Sequence, residues 1–155
     1  MQLITNHDIE APIEHVFTSV TDFDGFARRA LRRGAEVSRV DSCTEDGEGM
    51  IWDTAFGFRG KSRKMRIELT EFDAPNKIAA QSEMTGLNGM LVMDLVALSR
   101  QRTRLSIDLT LAPQSLSARL LVQSLKLARG NLTKRLSKRL AQFATEIEED
   151  YKRNA

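Results

Sequence analysis

Cysteine, histidine and proline are nearly missing from this chain, which has one Cys, two His and three Pro in 155 residues. A lone Cys43 cannot close an internal disulfide, which fits a reducing compartment. His7 and His15 have no Cys, Asp or Glu partner at ligand spacing, so neither a metal site nor any other cofactor is expected. Nucleophilic catalysis has no signature either, because no histidine lies near Cys43 and G-x-S-x-G is absent. Long apolar runs are missing too. The longest, Met90 to Leu98, is interrupted by Asp94 and is far too short to span a bilayer. The opening stretch MQLITNHDIEAP lacks the basic start and apolar run of a secretory signal, and a soluble cytoplasmic protein is expected. No linker, low-complexity tract or internal repeat divides residues 1–155, so a single domain is expected.

What is there suffices for one core. Hydrophobic residues make up 41% of the chain, enough for a domain of this length without disulfides or metals. The net charge is only +2, so no global field points to nucleic acid. Its distribution is uneven. Residues 1–114 hold 14 basic and 17 acidic residues, a net of −3, whereas residues 115–155 hold 9 basic and 4 acidic, a net of +5. Within the latter, residues 117–140 carry seven Lys and Arg and no Asp or Glu. No aromatic residues interleave with the basic ones, so the stacking platforms of a nucleic-acid binder are missing.

The periodicity changes twice along the chain. Residues 2–9 suit a strand with Leu3 and Ile9 buried. Pro12 suits a first helical turn, and Ile13, Val16, Phe17 and Val20 share one helical face. Asp22 or Asp24 is placed to cap a second short helix through DGFARRALRR, ended by Gly34. From there a period of two takes over. AEVSRVDSC, GMIWDTAFGF, KMRIELTEF, IAAQSEM, MLVMDLVAL and TRLSIDLTLAP read as strands, with EDGEG, RGKS, DAPNK, GLNG and SRQR as turns. From residue 114 the spacing is helical almost to the end, with Ser115 or Ser117 as the cap and a bend expected at Gly130-Asn131. The acidic EIEED stretch opposes the helix dipole, so a frayed last turn is expected. Antiparallel hairpins with an apolar face need a cover, and only the C-terminal helix is long enough to provide one.

This order resembles the SRPBCC superfamily, also called START-like or helix-grip proteins, which includes polyketide cyclase/dehydrase-like and lipid-transfer-like members. APIEHVFTSVTDFDGF resembles its first-helix signature, IELTEFDAPNKI its strand and "P-x-K" turn, and RQRTRLSIDLTLAP its penultimate strand. The resemblance implies an α+β helix-grip fold: a seven-stranded curved antiparallel sheet around a long C-terminal helix, with two short helices after the first strand. It also implies a cavity between sheet and helix, which binds an apolar small molecule or lipid in some members and carries polar catalytic groups in others.

For such a cavity, Trp52, Phe56, Phe58, Met65, Ile67 and Met84 are candidate walls, since rings and thioethers suit an irregular apolar ligand. Ordinary core packing accounts for the same residues equally simply. Thr54 shares their face and is a candidate for orienting a ligand. Leu121 and Leu125 are expected to line the cavity from the helix. The strand at 90–98 is apolar on both faces. If Met90, Val92, Val96 and Leu98 point inward, Val92 lines the cavity and Asp94 lies within it, where burial would raise its pKa and suit it as a general base. If Leu91, Met93, Leu95 and Ala97 point inward, Asp94 is solvated. Arg28, Arg29, Arg32 and Arg33, then Arg59, Lys61, Arg63 and Lys64, then Arg100, Arg102 and Arg104 form basic groups that suit either solvated faces or a rim around the cavity mouth. Three functions therefore stand at this point: binding or transport of a hydrophobic or amphipathic small molecule, a cyclase/dehydratase- or isomerase-type enzyme using Asp94, or a peripheral membrane- or partner-docking module using the basic rim.

Overall fold

The computed structural model describes all residues, Met1–Ala155. The chain runs β1 (Gln2–Ile9), α1 (Ile13–Val20), α2 (Phe23–Arg32), β2 (Glu36–Arg39), β3 (Ile51–Phe58), β4 (Lys61–Asp73), β5 (Lys77–Met84), β6 (Leu87–Ser99), β7 (Arg102–Pro113), α3 (Leu116–Leu127) and α4 (Arg129–Arg153). The strands form one seven-stranded curved sheet in the order β1-β7-β6-β5-β4-β3-β2, with every neighbour antiparallel. β2 to β7 follow one another as hairpins, and β1 closes the row by pairing with β7. This is the helix-grip arrangement.

Turn chemistry sets the register. The β3–β4 turn is only Arg59-Gly60, both with positive φ (52° and 75°), the conformation that matches the right-handed twist of a hairpin. That short turn starts β4 at Lys61, three residues before the alternation in KMRIELTEF becomes obvious. The β5–β6 turn likewise narrows to Thr85-Gly86 rather than GLNG, and the β6–β7 turn to Arg100-Gln101. Gly86 has φ 77°, and a Cβ there would run into the Ser115 side chain, so only glycine lets this turn press against the start of α3. The same contact carries a hydrogen bond from Gln114 N to Gly86 O at 2.6 Å. Register shifts at Leu69/Glu71 and Ala97/Ser99 mark bulges, which add bend to the two longest strands.

The helices obey their caps. Asp22 accepts from Gly25 N at the start of α2, and Ser115 accepts from Ala118 N at the start of α3. The expected single C-terminal helix is two helices, broken at Ala128 rather than at Gly130-Asn131. Ala128 ends α3 and begins α4 with φ −100° and ψ 13°. The break lets α3 lean on β7 while α4 crosses β1. The expected fraying is not seen: α4 continues to Arg153, with Asp150 held by Asn154, Arg153 and His15.

The core is lopsided. Ile9, Val16 and Val20 meet Leu69, Leu95 and Leu105 of the sheet and Leu140, Ala144 and Ile147 of α4, all essentially inaccessible. Two polar bonds tie this end together. Thr103, fully buried, donates to Ala11 O at 2.8 Å, and Thr5 and Ser137 share a hydroxyl–hydroxyl bond at 2.7 Å between β1 and α4. Toward α3 the packing loosens. Phe56, Met65, Met84, Leu109, Leu111, Leu121 and Leu125 face the same interior and are only half-buried. One half of the grip is filled, and the other is not.

Candidate functional site

The sheet's inner face follows from its cross-strand register. Leu105 and Ile107 are buried and stand opposite Leu95 and Met93, while Leu91 stands opposite Leu109. The inward set on β6 is therefore Leu91, Met93, Leu95 and Ala97. Asp94 pairs with Ser106 and Lys77 on the outer face and is exposed, and Val92 pairs with Asp108 and Ala79 on that same face. Two expectations are corrected here. Asp94 does not reach the interior and cannot act there as a general base, and Val92 lines no cavity. The reason is energetic: with both faces apolar, burying Leu95 and leaving Asp94 in water avoids an unpaired buried carboxylate. No other carboxylate lies on the inner face of β3 to β7, where the registers place only apolar, hydroxyl and basic side chains.

An open cleft of about 420 Å³ occupies the loose half of the grip, between α3, the β3–β4 hairpin and the β5–β6 turn. Its apolar wall is Met84, Leu87, Ala118, Leu120 and Leu121, and its polar wall is Thr85, Ser117 and Ser124 with Arg59, Lys61 and Arg63. Of the residues named from the sequence, Met84 and Leu121 lie on this wall. Phe56, Met65 and Leu125 are half-buried neighbours on the same interior. Phe58 stands at the rim, 40% exposed, with the Arg59 guanidinium 5.5 Å from its ring. Three expected wall residues do other work. Trp52 is buried against Phe23 at 5.2 Å, and Ile67 packs on the same core. Thr54 donates its hydroxyl to Met65 O at 2.9 Å, so it serves the β3–β4 pair.

Arg63 and Lys61 were legible only as part of a basic group. Register turns them inward: Arg63 stands opposite Phe56 and Lys61 opposite Phe58, on the face of Met65 and Ile67. The signal was parity. Once Arg59-Gly60 is recognised as a two-residue turn, alternation carried back from Met65 reaches Arg63 and Lys61 directly.

A second depression, of about 520 Å³, lies on the outer face along β2 to β5. One ion pair spans it: Arg66 makes paired bonds of 2.8 and 3.0 Å to Asp53, and this holds the Asp53 carboxyl below its ordinary pKa. Its lining is mostly polar, with Ala55, Met65 and Met84 as its hydrophobic residues.

α3 itself has an unexpected second stripe. Leu121, Val122 and Leu125 turn inward, whereas Leu116 and Leu127 are 74% and 92% exposed on the opposite side, and Leu120, 64% exposed, lies between that stripe and the cleft. Arg119 and Lys126 flank that outer stripe, and the helix has no acidic residue. No helix of the chain is long and apolar enough to cross a membrane.

The fold is shared with solved structures of low sequence similarity. The protein TTHA0849 from Thermus thermophilus superposes with a TM-score of 0.67 at 18% identity, covering 95% of this chain and 97% of its own. The Zhui aromatase/cyclase from a Streptomyces species gives 0.66 at 14% identity, over 96% of this chain and 93% of its own. The protein CV1439 from Chromobacterium violaceum gives 0.59 at 16% identity, over 96% and 98%. No protein of curated function matches the sequence. The sequence pattern of the family described as polyketide cyclase / dehydrase and lipid transport matches residues 2–148. The chain belongs to that family, within the SRPBCC superfamily that its strand order and local signatures resembled.

Proposed function

We propose that this protein binds, and carries, a hydrophobic or amphipathic small molecule in the cleft between α3 and the β3–β4 hairpin. One observation carries the reading: apolar side chains turned toward α3 stay half-buried on one half of the grip, while the other half holds the buried core cluster. Unfilled apolar surface of this kind lowers its free energy when a ligand covers it. The family description, which joins cyclase chemistry to lipid transport, supports the same class of ligand. Binding is favoured over cyclase chemistry because the inner face of the sheet presents no carboxylate. The test is titration of a neutral fluorescent polyene into the wild type and into Met84→Trp and Leu121→Trp, which fill the cleft. Saturable binding to the wild type and its loss in both variants is the expected result. A wild type that binds no apolar probe refutes the reading.

A second reading rests on the outer leucine stripe of α3. Leu116, Leu120 and Leu127 with Arg119 and Lys126 form an amphipathic surface suited to an anionic bilayer, where apolar side chains enter the headgroup boundary and cations meet lipid phosphates. Its position is apt, because Leu120 also lines the cleft, so a docked α3 would put the cleft mouth at the lipid. Co-sedimentation with phosphatidylserine vesicles at low salt, lost in a Leu120→Ser/Leu127→Ser variant, is the expected result. No sedimentation of the wild type under those conditions rejects it.

A further inference from the structure

The inner face of a sheet in this fold is an expensive place for a charge, yet β4 puts Lys61 and Arg63 on it. Most other cations of the sheet are matched, and the exception, Lys64, lies exposed on the outer face. Arg104 and Arg102 bond Asp8, Arg66 bonds Asp53, Arg39 bonds Asp41 and Lys77 meets Glu71. None of the ion pairs includes Arg59, Lys61 or Arg63. Arg63 is the sharpest case. Its Nε is shielded from solvent and has no hydrogen-bond partner. A shielded guanidinium nitrogen without an acceptor is destabilising, and folded proteins rarely leave one so.

We infer that the β3–β4 end of the cleft is an anion subsite, in which Arg63 with Lys61 and Arg59 receives the acidic head of an amphipathic ligand whose apolar part lies along Met84 and Leu121. The inference rests on the cleft being the binding site and adds the charge class of the occupant. The chemistry favours a carboxylate. A guanidinium presents a planar fork of donors that matches the two oxygens of a carboxylate, and the bond to a charged acceptor is about twice as strong as a neutral one. Ser117 and Ser124 on the facing side of α3 supply further hydroxyl donors. The apolar wall excludes a small inorganic anion as sufficient occupant, because such an ion would leave Met84, Leu87 and Leu121 uncovered.

The experiment compares a fluorescent polyene fatty acid with its methyl ester, binding both to the wild type, Arg63→Gln, Arg63→Lys and Arg139→Gln. The acid is expected to bind the wild type roughly tenfold tighter than the ester, the gain of one desolvated charge-assisted pair. Arg63→Gln should abolish that preference while leaving ester affinity within about twofold, and the retained ester binding shows that the variant is folded. Arg63→Lys should keep part of the preference. Arg139→Gln, exposed on α4, should behave as the wild type, which separates a local subsite from general surface attraction. Equal binding of acid and ester by the wild type overturns the subsite and leaves the cleft intact. A preference that survives Arg63→Gln, or is lost in Arg139→Gln, overturns the assignment to Arg63. Failure of both probes overturns the cleft reading together with the subsite.

Discussion

Leu95 of β6 stands directly opposite Leu105 of β7, the two being 2% and 0% exposed, and this one pairing puts Asp94 in solvent. Strand geometry alternates side chains strictly, so burying Leu95 settles the whole of β6. Two substitutions one residue apart should therefore behave oppositely. Leu95→Ala is expected to cost about 2–5 kcal/mol, the range for emptying a packed site. Asp94→Asn should stay within about 0.5 kcal/mol of the wild type, as exposed substitutions do. Urea denaturation of both variants checks the pair. A large loss in Asp94→Asn would contradict the register.

The loose half of the grip should respond differently from the packed half. Leu121→Ala removes a half-buried side chain that borders the cleft, so its stability loss should fall below that of Leu95→Ala while apolar probe affinity drops. Thermal melts paired with probe titration read both effects. Equal destabilisation by the two alanines would mean that the cleft is part of the core.

Thr103 bridges the first strand's exit to β7 through its bond to Ala11 O. Thr103→Val keeps the shape and deletes the donor, leaving a buried carbonyl unsatisfied. The expected cost is about 1–3 kcal/mol, measured as a lower urea midpoint with unchanged slope. Thr103→Ser, which keeps the hydroxyl, should recover most of the bond energy and lose only a methyl contact.

Asp41 organises the loop that leads into β3. It receives paired bonds from Arg39 at 2.6 and 3.1 Å, and the amides of Ile51 and Cys43 donate to it at 2.8 and 2.9 Å. The Arg39 guanidinium, and next the Ile51 amide, hold its carboxyl far below the usual carboxylate range. A folded-state pKa below the unfolded one means stability that is present above the unfolded value of about 3.9 and is lost as pH falls toward the folded value. Asp41→Asn should therefore be less stable than the wild type at pH 7, with the gap narrowing as pH drops below about 4. A gap that holds constant with pH would refute the ionic account.

The same loop protects the lone thiol. Burial, and next the hydrogen bond with Asp41, raise the Cys43 pKa above its ordinary value, so thiolate is scarce at neutral pH. Alkylation by iodoacetamide at about pH 7.5 should run slower than for a free cysteine. Asp41→Asn should speed it. Fast modification of the wild type would show that the loop opens.

Much of the fold was legible because periodicity is a local property. The switch from a helical to a two-residue period after Gly34, and back again after Pro113, sets the order of elements without any tertiary information. The alternation in KMRIELTEF and TRLSIDLTLAP also named their inner faces, because one side of each strand is charged. The site was less legible, and the failures share a cause. In MLVMDLVAL both faces are apolar, so the period says which residues travel together and not which set is buried; the partner Leu105 decides. α3 likewise has two leucine stripes, and only contact with β7 and the β5–β6 turn selects Leu121 and Leu125 over Leu116, Leu120 and Leu127. The inward turn of Arg63 needed the length of the Arg59-Gly60 turn, which fixes parity but depends on φ. Sequence thus determined the order of strands and helices and their membership of a helix-grip family, though not the break at Ala128 that makes the last helix two. Only the tertiary structure decided which half of the grip fills, because closing an interior depends on how distant segments meet, and the break at Ala128 swings α3 to where it leaves a cleft.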